Sequence, residues 1–343
     1  MNIVLAISLC AVLGFGVSCG LGFAVVPWLH KLNFGQVILD IGPSWHKKKQ
    51  GTPTMGGIIF VAGFFISFAA VLITDKLMGG QLLLTGSEKP ADVIYIKVFA
   101  GIIMASTFSL IGFIDDYIKV VKKRNLGLTE FQKSVFELLV IVGYLMTLYK
   151  SGVNYMYIPY IGIWENSFVF WTVGIIAMYA TVNAVNFTDG VDGLCTSVTM
   201  TACVGFGITA VIMKFTGLSI VCASLFGALA GFLFWNRNPA KVIMGDMGSL
   251  FLGGLYIALA YALDAPWLII MIGFVHVLEF ASDIIQIAYV KTHGGKKLFK
   301  MAPLHHHYEL SGWKENKIVV VFSVITAIGS AAAIALTWFG RMK

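Results

Sequence analysis

The chain has 343 residues, of which 58% are hydrophobic and only 12% charged, and it carries a net charge of +7. Soluble domains carry about 25% charged residues, so an ordinary soluble enzyme is excluded. The positive balance follows the loops of a membrane protein, which argues against nucleic-acid binding.

Apolar residues come in runs near the ~20 that a helix needs to cross a bilayer. Ten spans are expected, at about 2–29, 56–74, 93–114, 133–149, 168–186, 194–213, 218–235, 247–262, 266–290 and 318–340. The first run has no basic leader and no small-residue cleavage site, so it is read as a retained helix, not a signal peptide. Cys10, Cys19, Cys195, Cys203 and Cys222 all fall in apolar segments without CxxC spacing, which makes them core filler.

An even number of spans puts both termini on one side. The connections 30–55, 115–133, 187–193, 236–246 and 291–317 then share the other side and hold 17 of the 24 Lys and Arg. By the positive-inside rule that side is cytoplasmic and both termini are non-cytoplasmic. The expected fold class is an all-α polytopic membrane protein of about ten transmembrane helices, one integral-membrane domain over 1–343. Residues 150–167 have turn formers between β-formers and are expected to make a small non-cytoplasmic hairpin.

The chemistry concentrates on the cytoplasmic side. His46-Lys47-Lys48-Lys49 runs into the Gly/Thr-rich turn Gly51-Thr52-Pro53-Thr54. Such a lysine run is a topology signal with headgroup contacts, or a phosphate cradle built with backbone N–H groups. Asp115 and Asp116 come near the end of the third span, where the helix dipole disfavours negative charge. Their compensation is Lys119, at i+4 and i+3, or Mg²⁺, or a substrate proton taken by one Asp acting as base. Lys122, Lys123, Arg124 and Lys133 add positive charge in the loop that follows.

Asn186, Asp189 and Asp192 recur every third residue, so a helical turn aligns them, with Gly190 and Gly193 allowing close approach. An Asx-rich cap on the sixth span is the bland alternative, but a cap needs only one such residue. Asn236 ends the seventh span. Asp246, flanked by Gly245 and Gly248 before the eighth, is either an N-cap or an uncrowded ligand for a hard cation. His305, His306 and His307 follow Met-Ala-Pro-Leu; three adjacent histidines rarely converge on one zinc, and no HExxH accompanies them. They suit hydrogen bonds to phosphate or nucleotide. Glu137, Glu279 and Asp283 lie within spans and should face protein or water; their roles are not evident from the sequence.

Carboxylates, lysines, histidines and Gly-rich turns at one membrane face are the components of metal-assisted phosphoryl transfer. An ion-coupled transporter is the alternative. Its sites lie nearer the bilayer midplane, often between repeats, and no repeat is evident. A zinc intramembrane protease is a third class, which tightly bound zinc would reveal.

Gly-Thr-Pro-Thr-Met-Gly-Gly at 51–57, the Asp115-Asp116 pair, Asn-Phe-Thr-Asp-Gly-Val-Asp-Gly at 186–193, Met-Gly-Asp-Met-Gly-Ser-Leu at 244–250 and Met-Ala-Pro-Leu-His-His-His-Tyr-Glu-Leu at 301–310 form an ordered set. By these motifs the chain resembles the MraY family, the phospho-N-acetylmuramoyl-pentapeptide transferases, within the polyprenyl-phosphate N-acetylhexosamine-1-phosphate transferases. The first and last motifs favour that family over sister enzymes using other UDP-sugars. The resemblance runs from Gly35-Gln36 to Gly312-Trp313. It implies transfer of phospho-MurNAc-pentapeptide from UDP-MurNAc-pentapeptide to undecaprenyl phosphate, with Mg²⁺, in the bacterial inner membrane. It further implies a homodimer and a target of nucleoside antibiotics. On the same resemblance, Asp246 is the main Mg²⁺ ligand and Asp115 deprotonates the lipid phosphate, unless an Asp of this pair is a covalent nucleophile. Asp116 supports metal or substrate. Asn186, Asp189, Asp192 and Asn236 line the nucleotide; Lys49, Thr54, Lys119 and Lys133 surround the phosphates; His305, His306 and His307 close over the nucleotide. The chain departs from the pattern at Ile243, where many members carry Phe near the uracil, and at Met247, where Thr or Val is usual.

Overall fold

The structure, a computed structural model, describes residues 1–32, 51–122 and 127–341. Lys49, with His46, Lys47, Lys48, Lys123 and Arg124, lies outside the described residues. In chain order these contain α1 (Ile3–Lys31), α2 (Gly57–Leu77), α3 (Ala91–Val121), α4 (Glu130–Lys150), β1 (Tyr155–Ile158), β2 (Gly162–Glu165), α5 (Ser167–Thr188), α6 (Leu194–Ile212), α7 (Ser219–Asn236), α8 (Gly245–Ala262), α9 (Leu268–Ile272), α10 (Phe274–Thr292), α11 (Leu304–Glu309) and α12 (Glu315–Arg341). Eight helices among the described residues, α1 to α7 and α12, are long and apolar enough to cross a membrane. With only one small two-stranded sheet among those residues, the protein is an all-α polytopic membrane protein.

The two other expected spans are helical but differ in kind. Asp246 and four glycines lower the hydropathy of α8, yet every residue from Gly248 to Ala262 is buried. It is the central post of the bundle rather than a lipid-facing span. The expected continuous ninth span is two helices. At Gly273 the backbone leaves helical geometry, with ψ of 15°, and α10 then carries buried His276, Glu279, Ser282 and Gln286 on one side.

Lipid gives helices little hydrophobic reason to associate, so small residues and close backbone approach hold them together. The α3–α8 seam shows this. A Cβ on Gly101 would lie 2.6 Å from Ala258 Cβ, one on Gly254 2.8 Å from Ala105 Cα, and one on Gly112 2.2 Å from the Asp246 carbonyl oxygen. Rising numbers on α3 meet falling numbers on α8, so the pair is antiparallel. The C-terminal part of α3 is thereby set against the first turn of α8. The start of α4 is fixed by a capping box, in which Gln132 N–H donates to Thr129 Oγ1 (3.2 Å) and Thr129 N–H donates to Gln132 Oε1 (3.1 Å).

At the far end of α8 the hairpin pairs Tyr155 with Glu165 and Ile158 with Gly162, within the range read from sequence. Tyr157 N–H donates to Asp264 O (2.6 Å), and Trp267 Nε1–H donates to Tyr157 O (2.8 Å). Fully buried Lys97 from α3 and half-buried Lys89 both pair with the Asp264 carboxylate, and Lys97 Nζ also donates to Ala262 O (3.3 Å).

The seam predicts a clear cost for bulk. Gly254→Val drives a branched side chain into the Ala105 backbone and should destabilise the protein by ~1–3 kcal/mol. Thermal unfolding in detergent reads this as a lowered midpoint, whereas an unchanged midpoint would show that the seam tolerates separation.

Candidate active site

Asp115 and Asp116 do not sit at a helix end. α3 continues to Val121, more than a turn beyond them, and the dipole effect is confined to the last turn. The expected dipole penalty is therefore absent, and the compensation is local. Asp115 Oδ1 accepts from Leu128 N–H (2.7 Å), while Oδ2 pairs with Lys119 Nζ (2.6 Å). Asp116 Oδ2 accepts from Met247 N–H (3.1 Å). It thus caps the N-terminus of α8 from a neighbouring helix, satisfying an amide that α8 cannot satisfy itself.

Asp246 is likewise not the N-cap. It is the second residue of α8, after Met244 as cap and Gly245, and Met244 makes no side-chain cap bond. An acid in this first turn is favoured by the helix dipole. Gly245 has φ of 73°, and a Cβ there would lie 2.5 Å from Asp116 Oδ2 and 2.7 Å from Thr54 Oγ1. Only glycine allows both the left-handed backbone and that approach. Thr54 is brought in by long-range backbone pairing, Ile243 N–H to Pro53 O and Gly56 N–H to Ile243 O, both 2.9 Å.

The Asp246 carboxylate is shared among three elements. Oδ1 accepts from Asn186 Nδ2 (3.0 Å), and the same nitrogen lies 2.7 Å from Ser249 Oγ. Oδ2 takes Lys119 Nζ at 3.0 Å and Lys133 Nζ at 3.2 Å. Asp115, Asp116 and Asp246 each offer an oxygen within 4.8 Å of the others. This all-oxygen set fits a hard divalent cation, which takes carboxylates together with water and phosphate oxygens.

Asp189 closes α5 beside this cluster. Loss of water, then the like charges of Asp246, Asp116 and Asp192, push its carboxyl well above the ordinary carboxylate value. The regular spacing of Asn186, Asp189 and Asp192 does not bring all three side chains to one point. Asp192 Oδ2 accepts from Asn238 Nδ2 (3.2 Å) and Ala240 N–H (2.9 Å), and its own N–H donates to Glu315 Oε2 (3.2 Å). Asn236 is buried too, accepting from Thr196 Oγ1 (2.7 Å) and donating to Val242 O (3.0 Å). Both therefore brace the loop between α7 and α8.

The three histidines diverge on α11. His305 is buried, with Nδ1 2.9 Å from Glu279 Oε2. Its Nε2 has no hydrogen-bond partner among the described residues and faces Gly190, where a Cβ would stand 2.2 Å away. His306 Nδ1 pairs with Glu309 Oε2 (2.7 Å), and His307 Nδ1 accepts from Lys300 N–H (3.1 Å). Glu279 thus acquires a role that the sequence did not reveal, and so does Gln286. Gln286 Oε1 accepts from Leu298 and Phe299 N–H (3.1 and 3.0 Å) and folds the histidine-bearing loop back. A polar residue every seven positions on a buried helix face was the only available signal.

Residues 98–264 match the family model described as Glycosyl transferase family 4, and residues 49–61 match phospho-N-acetylmuramoyl-pentapeptide-transferase signature 1. Proteins named phospho-N-acetylmuramoyl-pentapeptide-transferase are similar over nearly their whole length. The relative from Clostridium kluyveri is 43% identical over 90% of this chain and 92% of its own. That from Listeria monocytogenes is 38% identical over 92% and 93%.

The chain belongs to the phospho-N-acetylmuramoyl-pentapeptide transferase family.

A relative from Bacillus thuringiensis, 42% identical over 90% of each chain, carries the same name. In this transferase the longer match runs from α3 to just past α8 and so takes in Asp115, Asp116 and Asp246. The signature covers Thr54, in the turn that distinguished the family from sister enzymes in the sequence.

The Glu279–His305 contact generates a prediction for the family member's histidine loop. Glu279→Ala removes the acceptor for both the His305 ring and its backbone N–H (3.4 Å). Loss of a buried charged partner costs about 1–3 kcal/mol, so amide exchange over 304–309 should accelerate at least fivefold. Unchanged exchange there would mean that α11 is held by other contacts.

Proposed function

We propose that the protein transfers phospho-MurNAc-pentapeptide from UDP-MurNAc-pentapeptide to undecaprenyl phosphate, forming lipid I and releasing UMP. Membership of the family supports the reaction. The observation that carries the site is the convergence of Asp115, Asp116 and Asp246 with two lysines where α3 meets α8. The full chain, 1–343, acts as one integral-membrane unit, multi-pass in the bacterial inner membrane. Its acid cluster faces the cytoplasm, both termini lie outside it, and two copies associate. The lysine-rich connections on the cluster's side support that orientation.

Asp246 is the main Mg²⁺ ligand, with Asp115 and Asp116 within reach. When bound, the ion offsets charge on the diphosphate and on the departing UMP. Asp115 takes the proton from the lipid phosphate, whose oxygen then forms a bond to the β-phosphorus as the bond to UMP breaks. In this reading Asp115, oriented by Leu128 N–H and Lys119, acts as a base and not as a covalent nucleophile. Lys119, Lys133, Thr54 and Lys49 hold the phosphates. Asn186 and Asp189 face the nucleotide directly; Asp192 and Asn236 shape its wall from behind. His305, His306 and His307 close over it, with His305 set by Glu279.

Purified protein should release UMP only with both substrates and Mg²⁺, and chelation should stop it. Asp246→Asn should abolish turnover. Asp115→Asn should lower turnover by roughly a hundredfold or more, the scale of a lost general base, while UDP-substrate binding persists. Flux without bond cleavage would instead support a transporter, and wild-type rates in either variant would remove its assigned role.

A further inference from the structure

Asp246 Oδ2 receives two ammonium groups, Lys119 at 3.0 Å and Lys133 at 3.2 Å. A divalent cation held by this carboxylate would share that crowded space, where like charges repel strongly. Lys119 has a second anchor, Asp115 Oδ2 at 2.6 Å. It can stay within the cluster when Asp246 is taken by metal. Lys133 has no such anchor among the carboxylates that pair with Lys119.

One helical turn along α4, on the same face, stands Glu137. Its side chain is 1% exposed. Oε2 accepts from Asn183 Nδ2 (3.0 Å), whereas Oε1 is buried without a hydrogen-bond partner among the described residues. A buried polar atom in that condition is costly. Asn183 also donates to Tyr179 O (3.0 Å), which fixes the amide that fixes Glu137. One turn further along α5, Asn186 holds the other Asp246 oxygen. The same face of α5 therefore positions two carboxylates, Asp246 paired with Lys133 and Glu137 one turn along α4 from it.

We propose that Lys133 is exchanged between two acceptors, Asp246 without a divalent cation and the vacant oxygen of Glu137 with one. Glu137 is then a positioning residue. It draws off the lysine that competes with the metal and leaves the ammonium one turn away, poised beside arriving phosphates. This rests on the reading of Asp246 as a metal ligand.

Mn²⁺ binding to the full-length protein in detergent, without substrates, tests the exchange by electron paramagnetic resonance. Glu137→Gln should weaken Mn²⁺ binding roughly three- to tenfold, the scale of one charge acting across a few ångströms at a protein surface. Glu137→Asp should keep most of the wild-type affinity. Lys133→Met should tighten binding although it removes nothing that touches the metal, and Glu137→Gln should add no further change in that background. A merely structural Glu137 predicts equal loss in both backgrounds, which would overturn the exchange, as would no loss in either. No Mn²⁺ binding by the wild type would overturn the metal assignment itself.

Discussion

The active site depends on how closely α3 and α8 can approach. Three carboxylates repel one another, and nothing in an isolated helix would bring Asp246 to within 4.8 Å of Asp115 and Asp116. The close contacts at Gly101, Gly254 and Gly112 fix the two helices at a separation that a further side chain would forbid. Gly112 packs on the Asp246 carbonyl itself, so the same contact that stabilises the bundle sets the position of the acid. Asp116 then turns repulsion into structure by capping α8 through Met247 N–H. Scaffold and site are one construction here, and a change along the seam acts on both.

Charge is balanced locally rather than by the fold as a whole. Lys119 bridges Asp115 and Asp246, and Lys133 adds a second contact to Asp246. Charged groups this near lipid are tolerated only where they pair or meet water. The network satisfies that condition without filling the site with apolar side chains, which keeps oxygens available to a cation. Asp189, with its carboxyl pushed towards the neutral form, adds an acid that need not add a full charge.

The helices were legible because long apolar runs have few alternatives, and the turn chemistry within 150–167 gave the hairpin. What failed to show was the consequence of tertiary contact. α3 runs on to Val121, with Lys119 paired to Asp115 one turn back, whereas hydropathy windows count these polar residues as the start of a loop. The break at Gly273 looks like any other glycine in an apolar run. Asn186, Asp189 and Asp192 share a spacing, but the turn after Thr188 sends Asp192 toward Asn238 and Ala240 and away from Asp246. Glu137, Glu279 and Gln286 were visible only as polar residues in the wrong place. Their partners come from other helices or distant loops, and local sequence carries no record of that.

α8 itself explains why those partners converge. A helix buried along nearly its whole length cannot rely on water to satisfy its ends. At its N-terminus Asp246 meets the positive end of the dipole and Asp116 accepts an amide; at its C-terminus Lys97 meets the negative end through the Ala262 carbonyl. Lys97 is then neutralised by Asp264, which in turn accepts the hairpin's Tyr157 N–H at its carbonyl. The central helix is thus stabilised at both ends by charges of the sign its dipole requires, and each charge recruits further polar groups. At one end that recruitment closes into a structural clamp. At the other it leaves three carboxylates with an oxygen each within 4.8 Å of the others, and there chemistry becomes possible.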